Sequence, residues 1–524
     1  MKLLIICLQA FVFTIAEASD LSQPVSLQFE KSIILDNGIV SLGIGEDGTL
    51  HELYLGDGPN LVTRGYWNCN GNGYDAAGSA VAPQFAILQG RVRVVRQSAD
   101  LVEVAFVREP AAPFFFRTAL HYVLRRGESG FYLFMTAAHD AQMPAGDITQ
   151  YAYNLRLEPQ YFDYIAVDDM RRHQSHTCEE EAAADALMDA TFALADGRVV
   201  SKYNYCHAIE DDEFGLYGWA GSQAGVWFMQ ASGEYYGSAP FRVLLTSHQT
   251  AKTPIIIWQV HCVHRGGYEM EFPPADETNW QKIYGPAFVY LNQGRDYDEM
   301  WSDAKTAVAG LEQEWPFAWM EHDLFPLNRG QVSGRLDFDD GTPALDAWVI
   351  LAPEGSHWSM ENRGYHFWTR TDAQGRFRLQ EVRQGRYTLF ALGADQFYEF
   401  RQDGIELSAG EEVSVGRLTW QRMRHGRRIW QLGIADRSTG EYANGDDFHH
   451  WGLWRRYPID FPQDIRFIIG QSQEREDWNF AHWNWYSRDN AWNIVFDLEQ
   501  NLRGVARLTL GIAGARGANE RGFG

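Results

Sequence analysis

Lys202 is unusual in this chain because positive charge is otherwise carried almost entirely by arginine. Of the 45 Lys and Arg residues, only six are lysines. They are Lys2, Lys31, Lys202, Lys252, Lys282 and Lys305. Arg keeps its proton in proteins, whereas a Lys amine loses its proton when burial or neighbouring cations lower its pKa. The amine of Lys202, inside the aromatic run Ser201–Cys206, is therefore a candidate general base, although most lysines simply lie on the surface.

The N-terminus has the three parts of a secretory signal peptide. Lys2 supplies positive charge, Leu3–Ile15 is apolar, and Ala16–Ala18 forms an A-x-A cleavage site. We therefore predict a signal peptide over residues 1–18 and a secreted, extracellular protein. No later stretch approaches ~20 consecutive apolar residues, so the mature chain is predicted to be soluble.

Four cysteines remain once the signal peptide is removed. They are Cys69, Cys178, Cys206 and Cys262. An even number of cysteines in an oxidising compartment predicts disulfide bonds, which could form in any of three pairings. Their spacing fits no zinc motif, so no metal is predicted from the cysteines.

Composition and charge narrow the range of partners. The net charge is −24, aromatic residues make up 14% of the chain, and 19 residues are Trp. Nucleic acids and anionic membranes bind basic surfaces, so neither is predicted as a partner. Aromatic rings stack on the apolar faces of sugars, but they also fill the cores of β-sandwiches. Composition leaves these two interpretations open, and we predict a monomer of about two to four domains.

The chain is predicted to be mainly β. Short β-branched or aromatic segments, separated by Gly, Asp and Asn turns, occupy residues 19–320 and predict a large antiparallel β-sandwich. One helix is predicted near Asp296–Glu314. Asp296 and Glu299 form a capping-box pattern at its start, and Pro316 follows its end.

Two smaller β domains are predicted after the large sandwich. Residues 321–420 contain hairpins at regular spacing, which is typical of an immunoglobulin-like sandwich. Within them Asp337, Asp339 and Gly341 resemble a calcium loop but lack its distal Glu, so a turn is predicted. Residues 421–524 are rich in Trp and predict a jelly-roll carbohydrate-binding domain. Its strand-like segments are Ile429–Ile434, Ile465–Ile469, Trp492–Leu498 and Ala506–Ile512, too few for a complete jelly roll, so an incomplete C-terminus is expected.

Several short segments, in the same order along the chain, resemble polysaccharide lyase family 4, the rhamnogalacturonan endolyases. They are Arg64–Asn68, Arg126–Tyr132, Ser201–Tyr205, Tyr217–Trp219, Tyr284–Asn292, Gly364–Thr369, Trp430–Arg437 and Trp451–Trp454. The resemblance extends over nearly the whole mature chain. It implies a catalytic β-sandwich, a fibronectin-III-like middle domain and a jelly-roll C-terminal domain.

The resemblance also implies a chemistry in which a lone lysine has a purpose. Such lyases cleave rhamnogalacturonan I by β-elimination at galacturonate, removing the C5 proton and breaking the C4–O bond to rhamnose. The reaction needs a base near C5, cations or donors for the charge that spreads onto the carboxylate, and an acid for the leaving oxygen. A Lys with a pKa lowered toward ~7–8 could act as the base.

By this resemblance, Lys202 and His264 are the catalytic residues, with Lys as base and His as acid, although which takes which role is open. His264 is preferred to His261 because of its spacing to Trp280. The family's carboxylate-binding Arg corresponds to Arg171 or Arg172.

Further residues near the site are predicted from the same segments. The substrate-binding candidates are Gly65, Tyr203 and His261, alongside the two arginines. Met170 departs from the family pattern, and the tyrosines that some members carry upstream of the His are absent from Ile255–Val260. A disulfide between Cys206 and Cys262 would join the strands that carry Lys202 and the His.

Two other functions remain open from the sequence. One is a glycoside hydrolase with paired carboxylates, for which the acidic run Glu210–Glu213 is a candidate, although four adjacent acids are more often a solvated loop. The other is a catalytically inactive protein that binds pectin.

The predicted lyase needs no cofactor for catalysis, and a structural calcium in the C-terminal domain is possible.

Overall fold

The structure is a computed structural model, and it describes most of the chain. The described residues are 23–73, 85–111, 115–188, 191–201, 203–207, 215–237, 240–241, 243–262, 269–273, 279–393, 395–424, 426–445, 456–482, 491–498 and 503–512.

The first part of the chain forms strands and two helices. In chain order they are β1 Ser26–Phe29, β2 Ile33–Asp36, β3 Val40–Ile44, β4 Leu50–Leu55, β5 Val62–Asn70, β6 Phe85–Ile87, β7 Arg91–Gln97, β8 Leu101–Arg108, β9 Arg117–Arg125, β10 Gly130–His139, β11 Gly146–Ile148, β12 Gln150–Leu157, β13 Phe162–Ala166, β14 Arg172–Gln174, α1 Cys178–Ala182, β15 Asp185–Met188, β16 Thr191–Ala193, β17 Val199–Ser201, β18 Tyr203–His207, β19 Leu216–Gly221, β20 Gly225–Gln230, β21 Val243–Gln249, β22 Pro254–Cys262, β23 Met270–Phe272, β24 Trp280–Asn292 and α2 Tyr297–Gln313.

Most of these strands belong to two large antiparallel sheets. The first sheet has the order β1-β2-β3-β4-β5-β12-β22-β21-β18, with β6 paired to β5. The second has the order β14-β13-β19-β20-β24-β10-β9-β8-β7. Two small sheets, β11-β23 and β15-β16-β17, accompany them. The predicted large antiparallel β-sandwich is confirmed.

Buried aromatic residues fill the space between the two large sheets. Trp67, Tyr153 and Trp258 of the first sheet meet Tyr122 and Phe228 of the second, and all five are fully buried. The hydroxyl groups of Tyr122 and Tyr153 are 3.2 Å apart, which gives the polar ends of both rings a partner inside the core. Because side chains alternate along a strand, the neighbours of these residues point outwards.

The outer face of the second sheet is covered by α2. Met300 and Trp301 of this helix are buried, and Trp301 packs on Trp227 with ring centroids 5.5 Å apart. The predicted helix is confirmed, with Asp296 as N-cap accepting from the Glu299 amide at 2.8 Å. The capping box is only half formed, because the Glu299 carboxylate accepts from the Arg295 amide instead.

The second sandwich follows directly. Its strands are β25 Gly330–Phe338, β26 Ala347–Pro353, β27 Phe367–Arg370, β28 Arg376–Val382, β29 Gly385–Gly393, β30 Gln396–Leu407 and β31 Glu412–Trp420. They form the sheets β28-β25-β31 and β27-β26-β29-β30. The predicted Asp-Gly turn is confirmed, since the Gly341 amide donates to the Phe338 carbonyl at 2.9 Å. Asp337 pairs with Arg335 and Arg417.

Buried polar contacts join the two sandwiches. Glu234 of the first is buried between the guanidinium groups of Arg329 and Arg383, with Arg383 Nε at 2.7 Å from its carboxylate. The amine of Lys282, on a residue with no exposed surface, donates to the carbonyl oxygens of Asn362 at 3.0 Å and Gly364 at 2.6 Å. Lys282, one of only six lysines in the chain, therefore has a structural role here.

The last part of the chain contains less regular structure among its described residues. Its elements are α3 Tyr457–Asp460, β32 Ile465–Ile468, α4 Glu474–Asp477 and β33 Trp492–Val495, with the two strands paired in parallel. The strands predicted at 429–434 and 506–512 are not formed. Ile434 is 56% exposed and Leu510 is 64% exposed, so no described layer covers the apolar face that would make these segments strands.

Candidate functional site

Lys202 and His264 both lie outside the described residues, so the flanking strands define the site. Ser201, before Lys202, is the last residue of β17, and Tyr203, after it, is the first residue of β18. Tyr203 is directly paired with His248 of β21. The segment that carries Lys202 therefore adjoins the end of β21 at His248.

One row of paired residues crosses the first sheet from this point. His248 pairs with Ile255 of β22, Ile255 with Arg156 of β12, and Arg156 with Arg64 of β5. Residues directly opposite each other on neighbouring strands have side chains on the same face. The row thus puts one histidine and two arginines on one face of the sheet, in line with the start of β18.

This face is the outer one. Tyr153 and Leu155 of β12 are fully buried in the core, so Asn154 and Arg156, which alternate with them, point outwards. The second sheet has α2 across its outer face, whereas no described helix covers the outer face of the first sheet. Ala152, Ile255 and Ile257 on this face are nevertheless buried, so the part open to a polymer is at the half-buried arginines of β5 and β12.

Two arginines and a tyrosine form the cationic centre of the face. The guanidinium carbon of Arg64 is 5.2 Å from the centroid of the Tyr66 ring, and that of Arg156 is 5.7 Å from it. Arg156 also donates to the Tyr66 hydroxyl at 3.3 Å. Both arginines are half-buried, while the ring beneath them is only 7% exposed. Cation–π contact and packing hold the two charges in fixed positions.

Side-chain amides continue the face beyond the arginines. Asn154 donates to Asn68 on the neighbouring strand, and both of these residues are buried. The half-buried Asn70 donates to the half-buried Gln150 at 3.1 Å, so these two amides are the accessible ones. Amides present both donors and acceptors, which is what the hydroxyl groups of a sugar require. The face therefore combines groups suited to carboxylates with groups suited to hydroxyls.

Three residues of this face, Arg64, Arg156 and His248, were not predicted from the sequence as site residues. Arg64 lies in a segment that was noted only for its resemblance, and Arg156 and His248 belong to no motif. Alternation of polar and buried residues along β5 and β12 was the available signal, but only the pairing of distant strands brings these three residues into one row.

Two of the predicted substrate-binding residues, His261 and Gly65, pack inside the structure. His261 is 2% exposed, and its Nε2 is 2.9 Å from the Ile148 carbonyl inside the protein, so it does not line a surface. Gly65 lies inside β5 rather than in a turn. A Cβ there would come within 2.3 Å of the Tyr153 hydroxyl, so core packing requires a glycine at this position.

The two arginines predicted to hold the substrate carboxylate already have carboxylate partners. Arg171 pairs with Asp168 at 2.5 Å, and Arg172 pairs with Asp298 of α2. Burial by itself would raise the pKa of Asp168, but hydrogen bonds and charge from Arg171 lower it. Both arginines lie at the β14 edge of the second sheet, and their pairing favours a structural role.

The strand that leads to His264 ends far from the start of β18. Cys262, the last residue of β22, pairs with Gln150, whereas Ile255 near the other end is level with Tyr203. The seven residue steps from Ile255 to Cys262 extend about 23 Å along the strand. Among the described histidines, His248 is therefore the one beside the Lys202 segment.

The same register excludes the suggested disulfide. Cys206 of β18 and Cys262 of β22 lie on opposite sides of β21, two strand spacings or about 9.6 Å apart. Disulfides require Cα atoms within about 7 Å. The prediction of a Cys206–Cys262 bond is wrong because β21 separates the two strands.

Neither metal ligands nor a membrane span stand out in the described part of the chain. No group of three or more His, Cys, Asp or Glu side chains there is arranged to hold a metal ion. None of the helices found there has the length and apolar character needed to cross a membrane. The acidic run Glu210–Glu213 lies outside the described residues.

Known proteins match this chain over almost its whole length. A rhamnogalacturonate lyase from Dickeya dadantii is 28% identical over 470 residues, covering 88% of this chain and 76% of that protein. Rhamnogalacturonate lyase B from Emericella nidulans is 24% identical, covering 97% of this chain and 84% of that protein. Among solved structures, a galactose mutarotase-like protein from Lactobacillus casei matches with a TM-score of 0.31 at 12% identity, covering 50% of this chain and 100% of that one.

Three family models match successive parts of the chain. The rhamnogalacturonate lyase family model matches residues 9–190. The models of domain II and domain III of polysaccharide lyase family 4 match residues 341–415 and 428–521. Their order agrees with the two sandwiches and the Trp-rich end, and with the predicted fibronectin-III-like and carbohydrate-binding domains. The chain belongs to polysaccharide lyase family 4.

Proposed function

We propose that this polysaccharide lyase is a secreted rhamnogalacturonan I endolyase. It cleaves rhamnose-(1→4)-galacturonate bonds by β-elimination and leaves an unsaturated galacturonate at the new end. Its membership of the family and its relatives named rhamnogalacturonate lyases support the substrate class. The apolar start of the chain, residues 1–18, supports secretion.

The observation that carries the proposal is the cationic row on the outer face of the first sheet. Arg64, Arg156 and His248 lie in line with Tyr203, the neighbour of Lys202. An anionic polymer needs local positive charge to bind a protein whose net charge is −24. The polymer would lie across the strands, with a galacturonate at Lys202.

Lys202 is the proposed base that removes the C5 proton. A Lys amine can lose its proton when burial or nearby cations lower its pKa, whereas a guanidinium keeps its proton. As charge spreads from C5 onto the carboxylate, the transition state also needs cations or hydrogen-bond donors at that sugar. The proton needed by the departing rhamnose oxygen comes from an imidazole, and the family resemblance assigns that role to His264.

A second candidate for the acid is His248. It is directly opposite Tyr203 in the sheet, whereas the described strand leading to His264 ends at the far end of β22. His248 is half-buried on the outer face, so a substrate lying on the row could contact it. Separate substitutions of the two histidines decide between them.

The type of product tests the reaction. Elimination gives a conjugated uronate that absorbs in the ultraviolet, whereas hydrolysis gives new reducing ends without that absorbance. We expect purified protein and rhamnogalacturonan I to give both signals in equal amounts. Reducing ends alone would indicate a glycoside hydrolase, and neither signal, with polysaccharide binding retained, would indicate a binding protein.

Lys202→Ala tests the proposed base. The expected loss is at least ~10²-fold in kcat, the usual scale for removal of an acid or base group. Lys252→Ala is the matched control, because Lys252 is exposed and precedes β22 without lying on the row. Near-normal turnover in the Lys202 variant would remove this residue from the mechanism.

A further inference from the structure

We propose that Arg64 and Arg156 form a subsite for the carboxylate of a second uronate, apart from the one that is cleaved. This subsite rests on the proposed function for the identity of its ligand, but not for its existence. It is built from described residues of β5 and β12 alone.

The two arginines place like charges side by side in the sheet. Arg64 and Arg156 are directly opposite each other in neighbouring antiparallel strands. Like charges in such a pair destabilise a sheet, because the side chains are as close as cross-strand neighbours can be. An anion bound by both arginines would offset this repulsion, which gives a reason for the arrangement.

Among the described residues, no carboxylate compensates the charges of these two arginines. The chain has 69 Asp and Glu residues against 45 Lys and Arg, so most arginines have an acid nearby. Arg171 and Arg172 illustrate this, each with an aspartate. Within the described residues, neither Arg64 nor Arg156 has such a partner, and their contacts are with the Tyr66 ring and hydroxyl.

The two guanidinium groups are also arranged so that they could bind a uronate. A guanidinium presents a planar fork of N–H groups that matches the two oxygens of a carboxylate. The Tyr66 ring holds both guanidinium groups in place, so little side-chain freedom is lost when a carboxylate binds.

The distance from Arg156 to Tyr203, which follows Lys202 in the sequence, suggests which sugar the arginines would bind. Arg156 and Tyr203 lie in one row, separated by three strand spacings, or about 14 Å. This is longer than one sugar unit. In a polymer with alternating uronates, the arginines would bind a neighbouring uronate while another is held at Lys202. The pair would thereby favour long, charged chains over short ones.

Binding without turnover gives the sharpest test. Affinities of rhamnogalacturonan I oligosaccharides are measured by calorimetry for Arg64→Gln, Arg156→Gln and the double variant. We expect each single change to weaken binding at least about 10-fold. Carboxyl-reduced oligosaccharides, which lack the charge, should bind the wild type and the double variant equally. Arg378→Gln is the control, since Arg378 is an exposed strand arginine of the second sandwich.

Kinetics separates this subsite from the catalytic centre. With the polymer, the double variant should raise KM at least about 10-fold and change kcat less than about 3-fold. Arg156→Lys, which keeps the charge without the fork, should recover part of the affinity. Unchanged affinity for charged oligosaccharides, or an equal loss for carboxyl-reduced ones, would overturn the subsite. Absence of an unsaturated product would overturn the proposed function instead and leave the binding result valid.

Discussion

The outer face of the first sheet and the interface between the two sandwiches both concentrate cationic side chains, but they treat them differently. At the interface, Arg329 and Arg383 share the carboxylate of Glu234. On the outer face, Arg64 and Arg156 share the Tyr66 side chain, and neither has a carboxylate partner within the described residues. A buried charge must be paired within the protein, whereas a half-exposed charge can be left for a ligand.

The two lysines Lys282 and Lys202 repeat this contrast. Lys282 is fully buried and donates to two carbonyl oxygens of the second sandwich. Lys202 lies in the sequence between Ser201, the last residue of β17, and Tyr203, which pairs with His248 of the outer-face row. The rarity of lysine in the sequence therefore marks two separate uses of the amine, one for joining domains and one proposed for chemistry.

The largest effect on stability is expected from Glu234→Ala. Removal of this carboxylate leaves two buried guanidinium groups without their partner, which typically costs about 3–5 kcal/mol. Chemical denaturation with an intrinsic Trp signal would measure the loss. Glu354→Ala, which removes an exposed partner of Arg386, is the control and should have little effect. Equal losses in both variants would contradict the difference between the two regions.

The next effect concerns the outer face. Of His248→Ala and His264→Ala, the variant that removes the acid should lose at least ~10²-fold in kcat with its unfolding free energy unchanged. His357→Ala in the second sandwich is the control. If both His248 and His264 variants keep near-normal rates, no imidazole on this face acts as the acid.

Lys282→Met should lower stability without changing the chemistry. The variant leaves two carbonyl oxygens unsatisfied in the interface, which costs about 1–3 kcal/mol. Its kcat per folded molecule should equal that of the wild type, in contrast to Lys202→Met. A large fall in kcat for folded Lys282→Met would show that the interface and the catalytic face are coupled.

Acid should weaken the interface between the two sandwiches. Burial and the Lys282 amine lower the pKa of His366 from 6.5 to about 4. Between these values the unfolded chain binds a proton that the folded chain does not, so the free energy of unfolding falls as pH falls. Burial alone would raise the pKa of Glu234, yet the two arginines lower it below 4.5, so its contribution is lost at still lower pH.

The pH dependence is measured as the unfolding free energy from pH 7 down to pH 4. His366→Gln should reduce the slope, whereas His357→Gln, at an exposed histidine, should leave it as it is. A slope identical in wild type and His366→Gln would contradict a buried neutral imidazole at the interface.

The smallest expected effect is that of a chelator. A lysine base needs no metal, so activity should survive EDTA, measured as the initial rate of ultraviolet product formation. Abolished activity, restored by added calcium, would instead favour a cation that bridges the substrate carboxylate. A change in stability alone would indicate a structural calcium in the C-terminal domain.

Local patterns were enough to predict much of the fold. The alternation of apolar residues predicted the sandwiches, and the Asp296 cap with Pro316 predicted α2, because these features depend on neighbours in sequence. The predicted strands at 429–434 and 506–512 failed, since a strand also needs a partner, which is a property of the tertiary structure.

Composition and the order of short motifs were enough to indicate a mainly β, acidic lyase with few lysines, because both are properties of the linear chain. Which cations share a face depends instead on how distant strands pair. Arg64, Arg156 and His248 come from three separate segments, and the register of antiparallel strands aligns them. Burial likewise decided that His261 and Lys282 serve the fold, because pairing and exposure arise only when distant segments pack together.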